Sequence, residues 1–179
     1  MIRCLADYSP AEIRLGYKIV GSCFGACGVD EPHYHSGFYM APGGYGHAIY
    51  RPGWWTVAYP PVRATDPDNY GPLAVFRDIA SALEFLAGVR DESFTITVQD
   101  RLRLVEEALD LPWKVGPLYL WEVTYEPSAV RRLWSPADPQ GLTDLPPGTE
   151  CAGAVSLVRR VELTRARIAE ALGYTLPAR

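Results

Sequence analysis

Four residues within thirteen positions carry the side chains most apt for chemistry: Cys23, Cys27, His33 and His35. Thiolate and imidazole are zinc ligands, and a Cys-x3-Cys-x5-His-x-His run could close one tetrahedral site. The spacing departs from the common modules, where ligand pairs stand as C-x2-C and H-x3–5-H. Cys151 could replace one histidine in such a set. The competing reading is two small buried cysteines beside loop histidines, since free cysteine is among the most buried residue types. A nucleophilic cysteine would also need a base, and only His33, His35 and His47 offer one. Read as a phosphate loop, Gly21–Gly28 lacks the Gly-Lys-Ser/Thr ending that supplies charge and a metal ligand.

A second concentration is aromatic. Tyr34, Phe38, Tyr39, Tyr45, Tyr50, Trp54, Trp55 and Tyr59 fall in one short window. On paired strands such rings could form a surface for bases, sugars or a partner protein. Aromatics are also simply favoured in sheets, where alternate ones make the core. Trp54 and Trp55 are adjacent, so in a regular strand they face opposite ways and one of them is expected outside the core. The third candidate is Glu122, which shares a strand face with Leu118 and Leu120. A carboxylate there is expected to have either a raised pKa or an arginine partner.

The elements that must position these residues are legible in part. Leu118–Tyr125 alternates, with Tyr119, Trp121, Val123 and Tyr125 on one face and Leu118, Leu120 and Glu122 on the other. Leu73–Phe76 is a short apolar strand. Asp78 is placed to cap the helix that follows, with Ile79, Ala82, Leu83, Phe85 and Leu86 as its buried stripe and Gly88 as its stop. Tyr17–Val20, a hairpin of His35–Met40 with His47–Tyr50, Trp54–Tyr59, Phe94–Val98 and Ala154–Leu163 are expected strands. Ser9-Pro10 is placed to start a short helix to Leu15, Asp100 to cap one, and Thr164 to cap one through Leu172. Strands and helices are interspersed without regular βαβ spacing. That pattern predicts one α+β domain over residues 1–179, with a mixed, mostly antiparallel sheet and two to four short helices.

Composition narrows the functional classes. The formal net charge is −4, which gives no basic field for phosphate backbones and disfavours bulk nucleic-acid binding. No run approaches the length of a membrane helix, and no secretory h-region is visible at the start. With four scattered cysteines and no disulfide framework, a cytoplasmic protein is expected, in the host cytoplasm or a virion if viral. Lys18 and Lys114 are the only lysines among 17 basic residues, an arginine bias that fits a GC-rich prokaryote or its virus.

The order Gly16-Tyr17-Lys18-Ile19-Val20, then Gly71-Pro72-Leu73-Ala74-Val75-Phe76 with Ala82 and Phe85, then Leu120-Trp121-Glu122-Val123 resembles small uncharacterised domains of phages and prokaryotes. Leu145-Pro146-Pro147-Gly148-Thr149 followed by Val155-x-Leu157 fits the same pattern. That family implies no established activity. The order is also similar, more weakly, to ADP-ribosyltransferase folds, with Tyr17-Lys18 standing where a His-Gly or Arg is expected. This second resemblance implies NAD as cofactor and Tyr17 and Glu122 as site residues.

The leading expectation is a non-catalytic binding or structural module without a cofactor. It would contact a protein partner or a second copy of itself through Tyr34, Tyr39, Tyr45, Tyr50, Trp54 and Trp55. The alternatives are the NAD-binding enzyme and a zinc-stabilised fold.

Overall fold

The alternation of Leu118–Tyr125 divides the molecule into two apolar layers. In the computed structural model, which describes residues 2–23, 33–36, 48–58, 72–88, 103, 118–129, 133–134, 142–143 and 147–176, both faces of this strand are buried against different partners. The strands are β1 (Ile2–Leu5), β2 (Arg14–Cys23), β3 (His33–Ser36), β4 (Ile49–Tyr50), β5 (Trp55–Ala58), β6 (Leu73–Phe76), β7 (Leu118–Pro127), β8 (Leu133–Trp134), β9 (Leu142–Thr143) and β10 (Thr149–Arg160). The described helices are α1 (Ile79–Gly88) and α2 (Arg165–Ala171).

The α+β expectation is overturned. Strands dominate, the described residues hold two helices, and every described strand pair is antiparallel. Strands β2, β7, β10 and β6 close on one another as a four-stranded barrel, because β7 pairs β2 and β10 while β6 pairs the same two. Strands β3 and β4 extend the sheet beyond β2, and β5 and β1 extend it beyond β10. Two local features permit closure. Strand β10 has register shifts at Ala152/Ala154 and Leu157/Arg159, and such bulges bend a strand and sharpen its twist. Gly16 supplies the close approach of β2 to β6, for a Cβ there would lie 2.8 Å from the Phe76 carbonyl oxygen.

The barrel interior is filled from β7 by Trp121, Val123 and Tyr125, which meet Val20, Val75 and Val155 from the other three strands. The outer face of β7 gives Leu118 and Leu120 to a second cluster, where they meet Leu83 and Leu86 of α1 and Ile168 of α2. Each fully buried aliphatic side chain of this kind contributes roughly 1.5–3 kcal/mol relative to exposure. The α1 start is capped as its sequence predicts: Ser81 N–H donates to Asp78 Oδ1 at 2.7 Å. Thr164 likewise accepts from Arg167 N–H at 3.2 Å at the start of α2, and Gly173 takes a positive φ after it.

Several expected boundaries move. The helix expected to end at Leu15 is absent: Arg14 and Leu15 already pair with Tyr125 and Thr124 in the β2–β7 ladder. A Ser-Pro start signal yields to this pairing because a short helix has little stability of its own, whereas the strand gains a ladder with β7. The N-terminal segment docks on the sheet, with β1 paired to β5 and both Tyr8 hydroxyl and Ala11 N–H donating to the Glu126 carboxylate. The expected β3–β4 hairpin pairing is present, with Tyr34 opposite Tyr50. The strand at Phe94–Val98 and the helix capped by Asp100 lie outside the described residues, save that Arg103 is helical.

Candidate functional site

Tyr17 and Glu122 are directly opposite one another in the β2–β7 ladder, so their side chains project from the same, outer face. Both line a cleft of about 330 Å³ together with Leu15, Arg77 and Val158. Glu122 has the arginine partner expected of such a carboxylate: Arg159 Nη2 lies 2.7 Å from Oε1, and its Nε donates to Oε2 at 3.1 Å. This forked pair follows from register, since Arg159 is the cross-strand partner of Glu122 on β10. The hydrogen bond to Glu122 raises the Arg159 pKa further. A carboxylate held this way has both oxygens engaged.

A second cleft, of about 440 Å³, opens where β2, β7 and β10 reach one end of the barrel. Tyr125 extends from the interior to that end and donates its hydroxyl proton to Glu150 Oε2 at 2.7 Å. Burial, then this hydrogen bond to Glu150, pushes the tyrosine pKa up to about 12. Arg14 and Arg77 flank the same carboxylate at 3.6 and 3.7 Å. Arg77 lines both clefts, so the two adjoin.

The other end of the barrel is built differently. Lys18 is buried inside, on the same strand face as Val20 and opposite Trp121 in the ladder. Its ammonium donates to the Ala74 carbonyl oxygen at 2.5 Å and sits 5.1 Å from the centre of the Tyr50 ring. Burial pulls its pKa down to about 7, and pushes that of the Tyr50 hydroxyl up. Tyr50 Oη and Trp121 Nε1 are buried with no hydrogen-bond partner. Tyr34 stands edge-on to Tyr119 and Trp121, with ring centres 6.0 and 5.2 Å away. Arg160, opposite Trp121 on β10, stacks on Tyr119 at 3.9 Å from its centre. Sequence reasoning passed over Lys18. The signal was present, because a lysine alternating with Val20 in an apolar strand shares whichever face that valine buries.

The aromatic window divides between core and surface. Tyr50 is fully buried and Tyr34 packs on the interior cluster, while Trp55 is half-buried beside Tyr8 at 5.9 Å. Trp54 is exposed, with the Arg51 guanidinium 5.5 Å from its ring centre. Tyr39 and Tyr45 lie outside the described residues. Of the proposed zinc ligands, Cys23 and His33 are paired across β2 and β3, and His35 pairs with Gly21. Cys27 lies outside the described residues, and Cys151 stands on β10 opposite Ala74, beside the Glu150 cleft. Among the described residues, no three His, Cys, Asp or Glu side chains converge as a metal site. No described helix is long and apolar enough to cross a membrane.

Sequence reasoning also missed the outward apolar residues. Ile13, Leu15, Trp54 and Val158 are the exposed large apolar side chains among the described residues. Leu15 and Val158 line one cleft, and the Gly53 N–H···O=C Leu157 bond brings the Trp54 turn against the strand that carries Val158. No local pattern marks this group, because three chain segments build it. Compared with protein-family models, curated proteins and solved structures, the chain has no match.

Proposed function

We propose that the protein is a non-catalytic binding module whose contact face is the outer surface of β2, β7 and β10. The observation that carries this reading is the presence of two exposed apolar side chains, Leu15 and Val158, in one cleft on that side of the barrel. Exposed apolar side chains grouped in this way mark interaction surfaces, and those scattered singly do not. The surrounding charges give the partner a chemistry. In the Arg159–Glu122 pair the cation is 70% exposed and the anion 29%; for Arg77–Glu150 the values are 61% and 28%. The guanidinium groups project past the carboxylates, so the rim presents positive charge around an apolar centre. A complementary partner is a protein offering apolar side chains flanked by carboxylates.

The test compares the wild-type chain with a Leu15→Glu/Val158→Glu variant by cross-linking in the cells that produce it. Both residues are exposed, so the variant should keep its melting temperature. The reading requires a partner captured by the wild type and lost with the variant. Identical captures would overturn it, and sedimentation of the purified chain separates self-association from a different partner.

A second reading, an NAD-binding site, is favoured by one observation: Tyr17 and Glu122 share a cleft. It requires NAD to raise the melting temperature with increasing concentration, and Glu122→Gln to abolish that rise. An unchanged melting temperature at saturating NAD removes this reading.

A further inference from the structure

The barrel end around Lys18 carries more hydrogen-bond donors than the protein satisfies. An ammonium has three N–H donors, and Lys18 directs one of them to the Ala74 carbonyl. The indole N–H of Trp121 can only donate, and it is buried without an acceptor, as is the Tyr50 hydroxyl without a partner. Native interiors rarely leave such groups orphaned, because a buried donor without an acceptor has lost its hydration and gained nothing in exchange. Two of them beside an ammonium with N–H donors to spare call for an acceptor that the described residues do not supply.

Charge says which acceptor. Lys18, Trp121 and Arg160 occupy one register row across β2, β7 and β10. Side chains in such a row share a face, and here they run from the exposed Arg160 through Trp121 to the buried Lys18. The row therefore carries two cations, one at the rim and one inside, and no carboxylate. The rings of Tyr34 and Tyr119 stand beside it. The carboxylate that approaches the interior, Glu150, bonds Tyr125 four residues further along β7, at the other end. A buried ammonium with no counter-ion among the described residues, and with orphaned donors around it, is the electrostatic complement of an anion.

We propose that the Lys18 end of the barrel binds a small oxyanion, a carboxylate or phosphate group, which accepts from the Lys18 ammonium, the Trp121 indole and the Tyr50 hydroxyl, with Arg160 at the entrance. This site is separate from the outer protein-binding face and stands without it.

The indole N–H resonance of Trp121, identified by its loss in Trp121→Phe, reports on the site directly. Titration with inorganic phosphate, acetate or benzoate should shift it saturably, whereas chloride at matched ionic strength should not. Arg160→Gln alters an exposed residue and should weaken binding without unfolding the protein. Tyr50→Phe removes the orphaned hydroxyl alone and should weaken binding about tenfold, the effect of one lost hydrogen bond to a charged group. Lys18→Met should abolish it. A phosphate response without a carboxylate response, or the reverse, assigns the anion. The proposal is overturned if none of the three probes shifts the resonance, if chloride shifts it equally, or if Lys18→Met and Tyr50→Phe bind as the wild type does.

Discussion

Tyr125 and Tyr50 are both buried tyrosines of the same apolar cluster, and they end in opposite circumstances. Tyr125 reaches one end of the barrel, where Glu150 accepts its hydroxyl hydrogen bond and Arg14 and Arg77 stand beside that carboxylate. Tyr50 lies under the ammonium of Lys18 at the other end, and its hydroxyl has no partner. At the Glu150 end the tyrosine hydroxyl has a charged acceptor flanked by two guanidinium groups, although Thr149 Oγ1 beside it is buried without a partner. At the Lys18 end, donors are in excess and the charge is uncompensated. At one end the buried tyrosine finds its acceptor within the fold; at the other that role falls to the proposed anion.

Breaking the barrel should erase the comparison altogether. Gly16→Val places a side chain against the Phe76 backbone, which cannot yield as a flexible side chain would. Destabilisation on the order of 3 kcal/mol is expected in urea unfolding, with the near-ultraviolet signals of both ends lost together.

The next largest effect concerns charge. Lys18 has a folded pKa of about 7 against an ordinary value of 10.5, so between these pH values the unfolded chain holds a proton that the folded chain lacks. Stability must then rise with pH from about 7 toward about 10, and the full penalty is present below 7. Tyr50, the titratable ring facing Lys18, has its own pKa raised and opposes the trend above about 10, where the unfolded tyrosine ionises. Lys18→Met should remove the slope and stabilise the protein at pH 6 by on the order of 2 kcal/mol, read from urea midpoints across the pH range.

A paired substitution sharpens the comparison further. Tyr125→Phe leaves Glu150 without a donor that it uses and should cost about 1.5 kcal/mol. Tyr50→Phe deletes a hydroxyl that bonds nothing, so it should be neutral or slightly stabilising in the same assay. Equal losses would mean that the two ends are alike after all. The smallest effect belongs to the outer face: Arg159→Ala breaks a solvent-exposed ion pair and should leave the thermal midpoint essentially unchanged.

How much of this was legible can be traced through particular residues. The alternation of Tyr119, Trp121, Val123 and Tyr125 announced two faces of β7, and both are used as that period requires. Asp78 and Thr164 announced two helix starts, because a cap acts through its own backbone neighbourhood. Glu122 announced an arginine partner, although Arg159 was not nameable in advance. The expected helix at Ser9–Leu15 failed because a local start signal carries no information about the distant Tyr125 and Thr124 that claim Arg14 and Leu15 for a sheet. The aromatic window announced a surface, whereas Tyr50 is core and Tyr34 packs on it; a ring's residue type does not say which side of a sheet is dry.

The amino-acid sequence by itself therefore determined the local units: the two-faced strand β7 and the capped helices α1 and α2. Period, capping and backbone freedom are properties of a few neighbouring residues. Only the tertiary structure decided that β2 and β6 meet to close a ring, that the face shared by Lys18 and Val20 became its inside, and that Leu15 and Val158 came together outside. Each of these depends on register between segments far apart in the chain. A shift of one residue in that register would have exchanged inside for outside along the whole strand.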